Sequence, residues 1–355
     1  MTVPNLDRAV RERYAAASQE FEPGLCCPVD YDPQYLKVIP QDVLERDYGC
    51  GDPVSHVRSG ERVLDLGSGA GKVCFIAAQI VGPKGSVIGV DVNDDMLALA
   101  RSARPAVAEA LGFGNVEFLK GRIEDLALDL EFLDRHLASH PVSSHTALDD
   151  LAELTDRVRR DSPLIPANSV DVVISNCVLN LVTTERKRDM FIEIARVLRP
   201  GGRAVISDIV ADIDVPEAMR ADPQLWSGCY SGAMREEDFL AGFLKAGLTG
   251  LRVIKREDRP WETVGDVTFR SVTVEAHKPA APPPVDGSLA ATYLGPFAQA
   301  RIDTGLDLPR GVAVRLGVAD LAAVLTGAYR DQVQLTDAAG ASSLAPVVCG
   351  PSGCC

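Results

Sequence analysis

From residue 61 onward, short apolar runs alternate with longer segments of helical spacing. Arg62-Val63-Leu64-Asp65-Leu66 reads as a strand, followed by a glycine loop, an amphipathic helix and a second strand, Ser86-Val87-Ile88-Gly89-Val90-Asp91. The pattern continues with a helix over 95–110, strands over 116–119 and 170–175, a helix over 185–198 and a strand over 202–207. Such alternation predicts a parallel sheet with helices on both faces. Pro200-Gly201-Gly202 predicts a helix stop and a turn. Segments 252–255 and 267–276 predict the last two strands of a seven-stranded, mostly parallel sheet whose final strand is antiparallel.

Outside this core the pattern changes. Residues 3–20 read as a helix opened by Pro4 and Asp7, with Val10, Tyr14 and Ala15 on one face, ending in the loop Glu22-Pro23-Gly24-Leu25-Cys26-Cys27-Pro28. Residues 126–167 are polar and too long for an ordinary connection. Leu148, Leu151, Leu154 and Val158 at helical spacing make this a partly helical insertion. A proline-rich stretch at 278–289 cannot build a core and predicts a stiff linker. The divisions are N-terminal helices and cysteine loops at 1–59, a ligand-binding domain at 60–210, a cap with the last strands at 211–277, the linker, and a small C-terminal domain at 290–355.

Charge and cysteine usage narrow the chemistry. A net charge of -14 without a basic, aromatic-interleaved patch argues against nucleic acid as a partner. No run of about eighteen apolar residues appears and the N-terminus lacks a signal pattern, so a cytoplasmic protein without a membrane partner is expected. The nine cysteines are irregularly spaced and form no CxxC pair, which argues against a disulfide framework and a structural metal.

The glycine loop, Asp65-Leu66-Gly67-Ser68-Gly69-Ala70-Gly71, lies where small residues let backbone approach a ligand at the carboxyl edge of the sheet. Its GxGxG spacing differs from the GxGxxG of pyrophosphate-binding loops. Asp91 ends the second strand, where a carboxylate can accept both hydrogen bonds of a ribose diol. Gly121-Arg122-Ile123-Glu124-Asp125 follows the third strand and offers an apolar residue and an acidic acceptor for a nucleobase. The bland alternative is a glycine turn and two surface acids in a degenerate nucleotide-binding domain. In order, the three stations resemble the class I S-adenosylmethionine methyltransferases over residues 60–210. That resemblance implies a Rossmann-like α/β fold and S-adenosylmethionine contacts at Asp65, Gly67, Ser68, Gly69, Gly71, Asp91, Val92, Ile123, Glu124 and Asn176.

Cys177, in Ser175-Asn176-Cys177-Val178-Leu179-Asn180-Leu181, stands just beyond the fourth strand and therefore faces the cofactor crevice. Cys50 and Cys229 sit in glycine contexts, Tyr48-Gly49-Cys50-Gly51 and Trp226-Ser227-Gly228-Cys229-Tyr230-Ser231-Gly232-Ala233, neither of which reads as core. Cys74, inside a helix, reads as a small buried hydrophobe. These segments resemble the arsenite methyltransferases, whose YGCG, SNCVLNL and LW-preceded GCxxGA motifs match over about residues 10–277.

The resemblance implies that Cys50, Cys177 and Cys229 hold trivalent arsenic while its lone pair attacks the sulfonium methyl group. It also implies that Cys26 or Cys27 pairs with Cys50 in a redox relay re-reduced by glutathione or thioredoxin. Soft thiolates suit a soft centre, and lone-pair attack needs no general base. Accordingly His136, His140 and His145 read as solvated loop residues, and Cys349, Cys354 and Cys355 as a dangling tail. Two rival readings remain: a methyltransferase for an organic acceptor, and a non-catalytic thiol-rich metalloid-binding protein.

Overall fold

A computed structural model describes residues 6–22, 25, 29, 31–46, 48–280, 289–326, 329 and 332–337. In chain order these form α1 (Leu6–Gln19), α2 (Pro33–Leu36), α3 (Gln41–Glu45), β1 (Arg62–Leu66), α4 (Lys72–Val81), β2 (Ser86–Asp91), α5 (Asp94–Leu111) and β3 (Val116–Lys120). Next come α6 (Leu130–Ser139), α7 (His145–Asp161), β4 (Val170–Asn176), α8 (Lys187–Val197), β5 (Leu198–Ala211), α9 (Glu217–Arg220), α10 (Pro223–Ser227) and α11 (Glu236–Lys245). The sheet closes with β6 (Thr249–Arg256), β7 (Glu262–Val264) and β8 (Val267–His277).

The strand order is β3-β2-β1-β4-β5-β8-β6. β1 to β5 pair in parallel, whereas β8 runs antiparallel to both β5 and β6. The expected seven strands gain an eighth, the short β7 paired to β8. Side chains alternate across each strand, so Val63 joins the core under α4 and α5 while Leu64 and Leu66 join the core under α8 and α11. Order reverses between β1 and β4, which opens a crevice at their carboxyl ends. The glycine loop leaves β1 and Cys177 leaves β4 at this one point.

The Pro200-Gly201-Gly202 turn is not observed as such. α8 stops at Val197, but the chain enters β5 at once, and the register jumps from Val170 opposite Leu198 to Val172 opposite Arg203. The extra residues form a bulge, with Gly201 at φ 78°. It is tied to the end of β8, where Gly201 N donates to Lys278 O at 3.0 Å and Lys278 N to Gly202 O at 2.8 Å.

The insertion forms α6 and α7, neither of which buries a residue. Leu148 is exposed, unlike Leu151, Leu154 and Val158, and Arg159 anchors α7 to Asp125 at 2.9 Å. After the linker, β9 (Leu289–Tyr293), β10 (Gln299–Arg301), β11 (Asp307–Pro309), β12 (Ala313–Arg315), α12 (Val318–Thr326) and β13 (Val333–Asp337) make a small domain. Its β12-β9-β13 sheet and β10-β11 pair enclose a separate core around Tyr293, Leu308, Leu316 and Leu321. The tail cysteines Cys349, Cys354 and Cys355 lie outside the described residues. No helix of the described residues is long and apolar enough to cross a membrane.

α8 and α11 meet through Phe191, Phe239 and Phe243, with Phe191 edge-on to Phe243 at 4.9 Å between ring centroids. A Cβ at Gly242 would lie 2.4 Å from the Phe191 ring. Gly242→Val is therefore expected to cost about 1–3 kcal/mol through overpacking. Urea denaturation should show a lower midpoint with an unchanged slope.

Candidate active site

The crevice at the switch point is a cavity lined by nine of the ten expected cofactor contacts. Gly71 is the exception. It lies beneath the loop at φ 91°, where a Cβ would lie 2.6 Å from the Phe118 ring. Gly67, at φ 69°, is equally confined, since a Cβ there would lie 2.4 Å from Val178. These two glycines let the loop pass between β1 and its neighbours.

Asp91 closes the loop on itself. Its Oδ2 accepts from Gly69 N and its Oδ1 from Asn93 N, each at 2.8 Å. Burial pushes its pKa up against the effect of those bonds. The carboxylate lines the cavity with accepting capacity left for a diol. Ser68 Oγ on the cavity wall is buried without a hydrogen-bond partner among the described residues. At the opposite wall Ile123 is buried, and Glu124 is held by Arg122 at 3.4 Å and Arg186 at 3.2 Å. A groove with an open carboxylate, an orphaned hydroxyl and an acid beside an apolar residue fits the ribose and base of S-adenosylmethionine.

Three thiols from three distant segments meet beside this cavity. The Sγ atoms of Cys50 and Cys177 and a carboxylate oxygen of Asp208 lie within 4.8 Å of one another. Cys229 Sγ donates to Cys177 O at 3.0 Å, which brings the third thiol to the same pair. All three side chains are buried, packed with Ile209, Val215, Ala233, Val267 and Phe269. The sequence suggested exposed loops. The fold buries them because the segment carrying α9 and α10 and the start of β8 close over them.

The two central cysteines are held in an uncommon backbone conformation. Cys177 has φ 63° and Cys229 φ 66°. Left-handed backbone at a residue with a Cβ costs about 1–3 kcal/mol and persists only where surroundings impose it. Here Cys177 N donates to Ser207 O at 2.8 Å and Cys229 N to Trp226 O at 3.0 Å.

Asn176, which lines the cavity, also fastens the Cys50 loop. Its Oδ1 accepts from Cys50 N at 2.9 Å and Gly51 N at 3.0 Å, while Nδ2 donates to Tyr31 Oη at 2.9 Å and Gly51 O at 2.7 Å. Three of these four bonds clamp the Cys50 loop onto the end of β4, and the fourth holds Tyr31. The glycines beside Cys50 permit this approach: a Cβ at Gly49 would lie 2.3 Å from Asn176 Nδ2, and one at Gly51 would lie 2.6 Å from Ser207 Cβ.

Sequence reading missed Asp208, Lys187, Asn180 and the full role of Tyr14. Asp208 accepts from Leu179 N at 2.8 Å, Asn180 Nδ2 at 2.9 Å and Ile209 N at 2.7 Å. Burial pushes its pKa up to about 6, and burial pushes Lys187 down to about 8. A charged residue inside the apolar run Val205-Ile206-Ser207-Asp208-Ile209-Val210 was a legible signal; Lys187, among other helix charges, offered none. Tyr14 lines the cavity from α1, with its Oη 3.9 Å from Cys229 Sγ. Arg13 secures α1 to the Cys229 segment by donating to Gln224 O at 3.0 Å and Ser227 Oγ at 3.1 Å.

Cys74 is fully buried in α4 and donates to Asp65 Oδ2 at 3.1 Å. Cys26 and Cys27 lie outside the described residues.

Asn176→Ala would leave two buried N–H groups unsatisfied, at about 1–3 kcal/mol each. The Cys50 loop should then open locally, and time-resolved alkylation with mass spectrometry should show Cys50 labelled faster than in the wild type.

A family model described as a methyltransferase domain matches residues 57–139 and 150–261. The chain is 34% identical over 273 residues to an arsenite methyltransferase of Aquipseudomonas alcaligenes, covering 74% of this chain and 68% of the relative. It is 36% identical to one of Halobacterium salinarum, covering 76% and 66%, and 33% identical to one of Mus musculus, covering 70% and 58%. The matched segments thus span between about three fifths and two thirds of these relatives' lengths. Among solved structures, an arsenic (III) S-adenosylmethionine methyltransferase from Chlamydomonas reinhardtii superposes with a TM-score of 0.59 at 27% identity, covering 88% of this chain and 97% of that one. With its methyltransferase sheet and these relatives, the chain belongs to the arsenite methyltransferase family.

Proposed function

We propose that this protein methylates trivalent arsenic, as arsenite and then as methylarsenite, within arsenic detoxification, using Cys50, Cys177 and Cys229 to hold the metalloid. The observation that carries this reading is the convergence of three buried thiols at the edge of a cofactor cavity that Cys177 itself lines.

Trivalent arsenic bonded to three sulfurs is pyramidal, with a lone pair at the apex. Each cysteine that binds arsenite forms an As–S bond as an As–O bond breaks, and its thiol proton leaves with the hydroxide as water. The sulfonium of S-adenosylmethionine supplies an electrophilic methyl group. The protein's part is to place arsenic in line with that carbon and keep water away, which can supply about 7–11 kcal/mol of the barrier. The apolar residues around the thiols serve the second purpose. No side chain has to remove a proton for a lone pair to attack.

Attack leaves arsenic formally pentavalent. Its return to the trivalent state takes two electrons: a further cysteine thiol attacks an arsenic-bound cysteine sulfur, an S–S bond forms as that As–S bond breaks, the bond's electron pair stays on arsenic as the lone pair, and the thiol proton leaves to water. Cys50 and either Cys26 or Cys27 are proposed for this relay, with glutathione or thioredoxin reducing the disulfide afterwards.

Cys177→Ser should lower methylation of arsenite and of methylarsenite by roughly 100-fold or more, the scale of lost positioning. Cys50→Ser should remove activity on arsenite but leave methylarsenite turnover, because an arsenic that already bears one methyl has only two positions for sulfur. Product chromatography with labelled S-adenosylmethionine distinguishes these outcomes, and wild-type protein that binds the cofactor without methylating arsenite would overturn the reading.

Burial raises the Cys50 pKa, and hydrogen bonding to Cys229 and Cys50 followed by burial raises that of Cys177 well above the usual range. Both are therefore protonated at neutral pH. Arsenite binding should release almost no net proton between about pH 6.5 and 8. Calorimetry in buffers of different ionisation enthalpy measures this directly.

A further inference from the structure

The methyl-donor cavity and the thiol cluster share a wall residue that the chemistry above does not use. Tyr14 lines the cavity from α1, and its Oη lies 3.9 Å from Cys229 Sγ. The neighbouring bond decides which of the two donates. Cys229 Sγ gives its only proton to Cys177 O at 3.0 Å. The sulfur then has lone pairs to offer but no proton, so the hydroxyl is the donor. A tyrosine hydroxyl keeps its proton throughout the neutral range. Among the described residues Tyr14 Oη makes no other hydrogen bond.

The surroundings of Tyr14 hold this hydroxyl in place. Its ring stands edge-on to that of Tyr48, with centroids 6.3 Å apart and planes at 84°. Tyr48 Oη donates to Ala17 O and accepts from Glu22 N, each at 3.1 Å, which ties the residue two before Cys50 to α1 and the turn that follows it. Arg11 O accepts from Asn93 Nδ2 at 3.1 Å, next to the Asp91 wall of the cavity. Arg13 fastens the same turn of α1 to Gln224 O and Ser227 Oγ. A donor mounted in this way points at one place.

Arsenic binding changes what Cys229 can do. The As–S bond forms as the thiol proton leaves, and the bond to Cys177 O goes with it, because a sulfur without a proton cannot donate. The contact with Tyr14 needs only a sulfur lone pair and survives the exchange. Without it the Cys229 side chain would be free to turn about its Cα–Cβ bond into another staggered position.

We propose that Tyr14 is the positioning residue of the metalloid-bound state, its hydroxyl donating to the Cys229 sulfur once arsenic has displaced the thiol proton and so keeping the arsenic beside Cys177 at the edge of the methyl-donor cavity. This rests on the methylation proposed above. No bond of Tyr14 is made or broken. Its hydroxyl replaces, for the arsenic-bound sulfur, the restraint that Cys177 O supplies to the free thiol.

Tyr14→Phe keeps the ring against Tyr48 and removes only the donor. Its effect on methylarsenite binding, measured by calorimetry on the full chain, is compared in two backgrounds. In Cys50→Ser the binding pair is Cys177 and Cys229, and Tyr14→Phe should weaken binding roughly three- to tenfold, the scale of one hydrogen bond. In Cys229→Ala the remaining pair is Cys50 and Cys177, whose Sγ atoms lie within 4.8 Å of one another, and Tyr14→Phe should change nothing. Binding retained there also shows that the variant folds. In methylarsenite turnover at saturating S-adenosylmethionine, kcat of Cys50→Ser should fall by a similar factor when Tyr14→Phe is added. Equal weakening in both backgrounds would make Tyr14 a general support of the fold, and no weakening in Cys50→Ser would remove the contact; either overturns the proposal. Wild-type protein that fails to methylate arsenite removes the reading on which this rests, whereas methylation with either of those binding results removes the role of Tyr14 alone.

Discussion

The carboxamide of Asn176 joins the end of β4 to the Cys50 loop by three hydrogen bonds and to Tyr31 Oη by a fourth, and the arrangement of the thiols depends on it. A buried loop leaves backbone N–H and C=O groups without ladder partners, and each unpaired group costs about as much as a lost hydrogen bond. Asn176 removes that cost for Cys50 and Gly51. One strand further on, the Asp208 carboxylate does the same for the turn after Cys177 and for Asn180, whose amide also reaches Ile209 O and Cys229 O. Two short polar side chains at the ends of β4 and β5 thus fasten three cysteine segments that begin about fifty and more residues apart.

With the loops fastened, the cysteines can sit in strained backbone within an apolar shell. Left-handed geometry at Cys177 and Cys229 turns both side chains inward, and the surrounding hydrogen bonds hold it in place. The same burial that disfavours thiolates favours neutral thiols, which suits condensation with a neutral metalloid acid. It also drives the pKa values of Asp208 and Lys187 toward each other, to about 6 and about 8, so a carboxylate and an ammonium share the floor of an otherwise dry site.

α1 links the two halves of the site. It carries Tyr14 to the boundary between cofactor and thiols, packs on α5, and through Arg13 holds the segment that presents Cys229.

Much of this was legible in one dimension. Periodicity located the alternating strands and helices because burial on a sheet imposes period two and burial on a helix period 3.6. The glycine loop, Asp91 and the cysteine motifs were readable because each lies within one local segment whose chemistry depends on few neighbours. The register bulge at Pro200 to Gly202, the eighth strand and the burial of the cysteine loops were not, since each depends on a partner distant in sequence. Asn176 could be flagged beside Cys177, but only folding shows its amide holding the Cys50 loop and Tyr31, both more than a hundred residues away. The sequence by itself determined the residue types, the sheet and the presence of a methyl-donor loop and soft ligands. Tertiary structure alone decided that the thiols meet, that they are buried, and that Asp208 and Lys187 stand beside them, because proximity and desolvation arise only when distant segments pack together.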